Sequence, residues 1–217
     1  MKLGKMQSTN STSTQSMATS TDVQEIARQQ EAKVWLDFLN GDENAITQLY
    51  ELFAKKLYNY GKQLTSSHDL VMDCIQDVFV TLIHSRENLS KVASVRGYLY
   101  VSFRRMILKK IQQNSRMVLT DQISDSQGFM FDLKPEMMTI NNLFSHQQHK
   151  LIRSACNKLP VRQREALSLY FFEEMSYKEI AETMGFEKVK SVRTTIYRAL
   201  EKLSDMLSIH EEELRIS

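Results

Sequence analysis

Two prolines and six glycines in 217 residues leave little material for the many tight turns that sheets require. Long helices joined by few loops, an all-α fold, are therefore expected. Two cysteines, Cys74 and Cys156, are too few for a disulfide framework. Each falls at an apolar position of a helical pattern and reads as a buried free thiol in a reducing compartment. No apolar run approaches the roughly 20 residues needed to cross a bilayer, so a cytoplasmic protein without membrane insertion is expected. Residues 1–22, rich in Ser, Thr and Gln, lack the apolar centre of a signal peptide and read as a disordered lead-in. There is no Gly-rich phosphate loop and no triad-like grouping of nucleophile and base. His146 and His149 lie three apart on a helical pattern, but no Cys or carboxylate stands at a useful spacing to complete a metal site. The expectation is a protein that is not an enzyme and holds no cofactor.

What is present is a normal core-forming composition, 42% hydrophobic and 25% charged, with a net charge of only +2. The total is small but its distribution is uneven. No acidic residue lies between Glu87 and Asp121, a stretch that holds Lys91, Arg96, Arg104, Arg105, Lys109, Lys110 and Arg116. Asp69, Asp73 and Asp77 precede it, and Glu211, Glu212 and Glu213 lie near the end. A basic block beside an acidic helix suits two different partners. Twelve methionines add adaptable apolar filler.

Hydrophobic periodicity places the helices. Residues 23–39 carry Ile26, Val34, Trp35, Phe38 and Leu39, and Asn40-Gly41 stops them. Asp42 caps a second helix to about Leu64, with Ala45, Ile46, Leu49, Tyr50, Phe53 and Leu57 on one face. Ser66 or Ser67 opens a third, whose apolar pairs Leu70-Val71, Cys74-Ile75, Val78-Phe79 and Leu82-Ile83 repeat every four residues. After a loop at 86–94, a fourth spans 95–113 with Tyr98, Leu99, Phe103, Met106, Ile107 and Ile111 inward. The weakly patterned segment 117–142, with Gly128 and Pro135, reads as a linker with one short apolar piece at Phe129, Met130 and Phe131. Four more helices follow, over 143–159, 161–172, 176–184 and 188–207, before an acidic tail at 209–217. The expected organisation is two small helical domains, 23–116 and 143–208, on a tether.

The most informative stretch runs from Ser176 to Leu203. Ser176 with Glu179 three residues on is a capping box. Ile180 and Met184 form an apolar stripe, Ala181 leaves room for a crossing helix, and Gly185 can adopt the left-handed conformation that ends a helix. The next helix sets Val189, Val192, Ile196, Ala199, Leu200 and Leu203 on one side and Lys190, Arg193, Thr194, Tyr197 and Arg198 on the other. That is the pattern of a helix-turn-helix whose second helix enters a major groove.

Taken together, these motifs resemble the sigma-70 family of bacterial transcription initiation factors, in its small extracytoplasmic-function form. The resemblance covers about 34–207. Ala45-Ile46-Thr47-Gln48-Leu49-Tyr50 resembles the first core helix of region 2, and Asp73-Cys74-Ile75-Gln76-Asp77-Val78-Phe79 its acidic signature. Gly97-Tyr98-Leu99-Tyr100-Val101-Ser102-Phe103-Arg104-Arg105 is similar to the helix that begins with an aromatic-Leu pair. Leu159-Pro160, Arg164, Ser176-Tyr177, Glu179-Ile180-Ala181 and Tyr197-Arg198-Ala199-Leu200 resemble region 4. Tyr98 stands where the family commonly has Trp and Arg105 where Asn is frequent, and the step from Gly185 to Val192 is one residue longer than usual.

The resemblance implies a division of labour. Asp73, Gln76, Asp77 and Val80 would bind core RNA polymerase. Asn88, Lys91, Arg96, Tyr100, Arg104, Arg105, Lys109 and Lys110 would act at the promoter element near the start site, where the duplex melts: the cations on phosphates, Tyr100 under a base, and the loop at 87–91 around an extruded base. Ser176, Tyr177, Lys188, Lys190, Arg193, Thr194, Tyr197, Arg198 and Lys202 would serve the distal element, Lys188, Lys190 and Lys202 positioning the helix on phosphates and Arg193, Thr194, Tyr197 and Arg198 at base edges. Anti-sigma factors, common in the family, would cover the same surfaces. The alternative from the residues is a stand-alone helix-turn-helix regulator with a helical sensor domain.

Overall fold

The computed structural model describes residues 13–117 and 146–208. All regular structure among them is helical: α1 Ser13–Leu39, α2 Glu43–Leu64, α3 His68–Ser85, a 3-10 turn Arg86–Asn88, α4 Val95–Met117, α5 His146–Asn157, α6 Val161–Phe171, α7 Tyr177–Met184 and α8 Val189–Ser208. The tail at 209–217, most of the expected linker and the apolar piece at Phe129, Met130 and Phe131 lie outside the described residues.

In the first half, α1 packs on α2, α2 on α3 and α3 on α4, with α4 closing back on α2 and α1. The caps are chemical: Asp42 accepts from the Asn44 amide at 2.8 Å, and Ser67 Oγ from the Leu70 amide at 3.2 Å. Behind them Trp35, Leu49, Phe53, Leu57, Tyr60, Leu99 and Phe103 are buried. Gly61 sits where three helices meet; a Cβ there would stand 2.8 Å from Val71 and 2.9 Å from Phe103. A larger residue in α2 would hold the helices apart.

In the second half, α6 and α7 pack on α8, and α5 lies against α8. Arg164 holds the end of α5: its guanidinium donates to the carbonyls of Asn157 at 2.5 Å and Leu159 at 3.0 Å. The first is one of the orphan acceptors that a helix C-terminus leaves, and the second belongs to the turn after it, which accounts for an arginine shortly after Leu159-Pro160. The thiols of Cys74 and Cys156 are free and buried, and burial pushes Cys156 up to about 11.

Two expectations need correction. The first helix begins at Ser13, ten residues before Val23, and Ile26 on it is exposed. In α8, Val192, Ile196 and Ala199 are buried but Val189 and Leu200 are largely exposed, because the helix is covered on a narrower stripe than its apolar residues span. The two halves also pack on one another. Helix α4 packs directly on α7, and a polar seam joins the halves.

Candidate nucleic-acid and polymerase interfaces

The helix-turn-helix is built as its residues predict. Ser176 Oγ accepts from the Glu179 amide at 3.3 Å while the Glu179 carboxylate accepts from the Ser176 amide at 2.7 Å. Gly185 closes α7 at φ +67°, in the left-handed region. Behind α8, Val192, Ile196 and Ala199 bury the inner face. Lys188, Lys190, Arg193, Thr194, Tyr197, Arg198 and Lys202 are all exposed, as is Ser176 at the start of α7. Tyr177 stacks on Tyr170 with ring centroids 5.2 Å apart and planes 7° from parallel, and the Arg193 guanidinium lies 5.3 Å from the Tyr177 ring centre. This stack links α6, α7 and α8 on the cationic side. The residues expected at the distal element thus lie exposed or half-buried on and just before α8 and at the start of α7.

On α3 the four expected polymerase contacts, Asp73, Gln76, Asp77 and Val80, are exposed together. Ile83 is half exposed and adds to the apolar surface of that helix. Lys110 of α4 donates to the Asp77 carboxylate at 2.5 Å. Asp77, through that hydrogen bond, raises the Lys110 pKa. One residue of the basic block is thus already engaged by the acidic face.

The remaining basic block divides in two. Asn88, Lys91, Arg105 and Lys109 are exposed. The loop is anchored by Trp35, whose indole N–H donates to the Ser90 carbonyl at 3.2 Å, and Tyr98 packs on Trp35 at 5.4 Å. Between the loop and α1 lies a cavity of about 70 Å³ lined by Arg28, Glu31, Trp35 and Lys91, room for a few waters rather than for a ligand of drug size.

Arg96, Tyr100 and Arg104, by contrast, lie in the seam. Arg96 is 4% exposed and Tyr100 is fully buried, which corrects the expectation that both face solvent. Arg104 makes a bidentate pair with Glu165 of α6, Nε to Oε1 at 2.7 Å and Nη2 to Oε2 at 3.0 Å. Tyr60 of α2 donates to the same carboxylate at 2.5 Å. The Tyr100 hydroxyl donates to Glu173, and Arg96 donates to the Glu173 carbonyl at 2.5 Å and to Glu31 of α1 at 2.6 Å. Ser94 donates to Glu179, and Arg28 of α1 reaches Glu179 at 3.3 Å and the Glu174 carbonyl at 2.9 Å. Gln63 accepts from Ser168 at 3.2 Å.

The electrostatics follow from these partners. Burial raises the Tyr60 and Tyr100 pKa values well above 10, and the charges of Glu165 and Glu173 push the same way. Burial works against the charge on Arg104, but its hydrogen bond to Glu165 outweighs it and the pKa rises. Burial would raise the Glu179 carboxyl; hydrogen bonds from Ser176 and Ser94 and the charge of Arg28 win, and its pKa is lowered. Sequence patterning missed Arg28, Glu31, Tyr60, Glu165 and Glu173 as a group. A charged residue next to another in a helix, such as Glu165 beside Arg164, carries no local sign of a partner a hundred residues away.

Known proteins provide an independent comparison. Residues 49–117 match the family model for sigma-70 region 2, and residues 149–203 that for sigma-70 region 4, together more than half of the chain. Similar curated proteins include the RNA polymerase sigma factor YlaC of Bacillus subtilis, 27% identical over 176 residues that cover 80% of this chain and 98% of that one. Another is the ECF RNA polymerase sigma factor SigM of the same organism, 22% identical over 163 residues, 73% of this chain and 92% of that one. Among solved structures, CnrH in complex with the cytosolic domain of CnrY shares the fold at a TM-score of 0.53 and 22% identity, over 82% of this chain and 97% of that one. The sigma factor RpoE of Bartonella quintana, in complex with the anti-sigma factor NepR, does so at 0.53 and 18%, over 76% and 98%. The two region matches in chain order, on two helical units of which the second carries the capped helix-turn-helix, identify the chain as a member of the sigma-70 family of the extracytoplasmic-function type, a transcription initiation sigma factor.

Proposed function

We propose that this sigma factor binds core RNA polymerase through α3, reads a distal promoter element with α8, and assists melting near the start site with α4 and the preceding loop. The observation that carries the reading is the separation of two exposed surfaces of opposite character. Asp73, Gln76, Asp77 and Val80 offer carboxylates, an amide and a small apolar patch on α3, suited to an Arg-bearing helix. Lys188, Lys190, Arg193, Thr194, Tyr197, Arg198 and Lys202 offer cations and hydrogen-bonding groups on and just before α8, suited to a phosphate-lined major groove. Ser176 and Tyr177, at the start of α7, add a site for one more phosphate.

Within this division Lys188, Lys190 and Lys202 set the helix on the backbone, and Arg193, Thr194, Tyr197 and Arg198 are placed to meet base edges. Asn88, Lys91, Arg105 and Lys109 would hold the separated strand, joined by Arg96, Tyr100, Arg104 and Lys110 once their present partners release them. The similar proteins are RNA polymerase sigma factors, which supports polymerase as the partner and as the seat of the bond-making chemistry. A solved relative bound to an anti-sigma factor supports an inhibitor of that kind as a further partner.

The test is selection among promoters by the reconstituted holoenzyme. Arg193→Ala or Arg198→Ala should lower discrimination between a matched and a mismatched distal element by about 1–3 kcal/mol per lost bidentate contact, while co-purification with core polymerase is unchanged. Parallel loss of polymerase binding would contradict a separate reading helix. Tight binding of a palindromic duplex by the free protein would favour a stand-alone regulator.

A further inference from the structure

We infer that Tyr170 of α6 is a positioning residue for promoter reading: through the ring of Tyr177 it holds the Arg193 guanidinium ready for one base pair of the distal element. This deepens the reading of α8 as the recognition helix, on which it rests. The three side chains come from three helices. The Tyr170 and Tyr177 rings lie 7° from parallel with centroids 5.2 Å apart, and Arg193 stands 5.3 Å from the centre of the Tyr177 ring. A cation is drawn to an aromatic face within about 6 Å. Phe171, an apolar side chain 52% exposed, meets the Tyr170 ring at 89° with centroids 5.0 Å apart. An aromatic row thus runs from the end of α6 to the recognition helix.

The row lies outside the core: Tyr170 and Tyr177 are half-buried and Arg193 is exposed. Its effect falls on the freedom of Arg193. Burial of Val192 and Ile196 on α8 fixes the backbone around that residue, so the freedom left is in the side chain. An arginine loose in solvent samples many rotamers, and ordering it on binding costs free energy. A guanidinium already resting beside a ring has lost part of that freedom before DNA arrives. Held in one orientation, its planar fork suits the paired acceptors of a guanine edge. Tyr177 cannot supply a fixed ring by itself. It is the first residue of α7, where no preceding helical turn restricts its rotamer; the Tyr170 ring supplies the restriction instead. The two phenols are also tied chemically. A hydrogen bond with Tyr170, and then burial, raise the Tyr177 pKa against the lowering charge of Arg193.

The experiment uses holoenzyme reconstituted from the full chain and core polymerase. The templates are promoter fragments randomised over the distal element, each with a transcribed barcode, so that sequencing the transcripts gives a fold-preference at every base pair. Arg193→Ala identifies the pair that Arg193 reads. Tyr170→Leu keeps apolar volume but removes the ring. It should lower the preference at that same pair by about two- to fivefold, the worth of an exposed cation–ring contact, and leave the other pairs unchanged. Tyr170→Phe keeps the ring and should rescue most of the loss. In an Arg193→Ala background Tyr170→Leu should add nothing, because the two changes act on one contact. A uniform loss of preference across all pairs would make Tyr170 a mere support of α7 and overturn the inference. So would an equal further loss in the Arg193→Ala background, or a loss with Tyr170→Phe as large as with Tyr170→Leu. If Arg193→Ala relaxes no pair, the reading of α8 fails and the inference falls with it. If Arg193→Ala relaxes one pair and Tyr170→Leu does not, the inference alone fails.

Discussion

Tyr60 and Glu165, separated by 105 positions in the chain, share a buried hydrogen bond of 2.5 Å. The same carboxylate takes two bonds from Arg104. One side chain of region 4 thereby gathers a tyrosine from α2 and an arginine from α4, and the relation between the two halves depends on it. Tyr60→Phe removes the hydroxyl and leaves Glu165 with its arginine, so a loss of about 1 kcal/mol is expected rather than the full cost of an orphaned charge. Urea unfolding checks this. A loss above about 3 kcal/mol would mean that the hydroxyl, not Arg104, holds the carboxylate.

Gly61 tests the packing of the first half. A methyl group at this position meets Val71 and Phe103 inside 3 Å, and overpacking of this kind costs about 1–3 kcal/mol. Alanine recovers about 1 kcal/mol of helix propensity, so Gly61→Ala should be destabilising by up to about 2 kcal/mol. Thermal unfolding of the full chain would show it. A raised melting temperature would mean that the three helices can move apart freely.

The seam should respond to alkali. Tyr60 faces Glu165 and Arg104; Tyr100 faces Glu173, with Arg96 and Tyr60 beside it. Burial first, then the glutamates, holds both phenols well above 10, against the lowering influence of the arginines. A value raised in the folded state means that stability is full below the unfolded pKa of about 10 and declines as pH rises through the folded one. Phenolate absorbance should therefore show Tyr60 and Tyr100 ionising late, together with expansion of the chain. Titration of both in the ordinary range would contradict the buried seam.

Much of the fold was legible because it rests on local chemistry. The four-residue repeat from Leu70 to Ile83 locates α3, Asp42 and Ser67 announce their caps, and Ser176, Glu179 and Gly185 define α7. The exposed cations of α8 were legible for the same reason, since burial of Val192, Ile196 and Ala199 fixes which way the others point. The seam was not. Glu31, Glu165 and Glu173 look like solvated surface charges in sequence, and their partners lie 61 to 105 positions away. Tyr100 is expected under a base from the resemblance, and nothing local in the sequence shows its burial against Glu173. The first turns of α1 lack apolar periodicity, so nothing local marked residues 13–22 as helical.

The acidic face of α3 makes a distinct prediction. Charge reversal at Asp73 and Asp77 changes exposed groups, so solubility and helicity should hold. Loss of a charge pair buried in a complex costs about 2–5 kcal/mol, so association with core polymerase should weaken about 30-fold or more. Asp77→Lys also frees Lys110, which now pairs with that carboxylate. Undiminished association in a pull-down with purified core enzyme would remove α3 from the interface.

The most direct measurement is run-off transcription from genomic DNA fragments with purified core polymerase, with and without this protein. A sigma factor should make initiation depend on its presence, at discrete start sites, and should bind the same fragments only weakly and in a salt-sensitive manner when alone. No start-site-specific transcript, together with tight binding of those fragments by the free chain, would contradict the account.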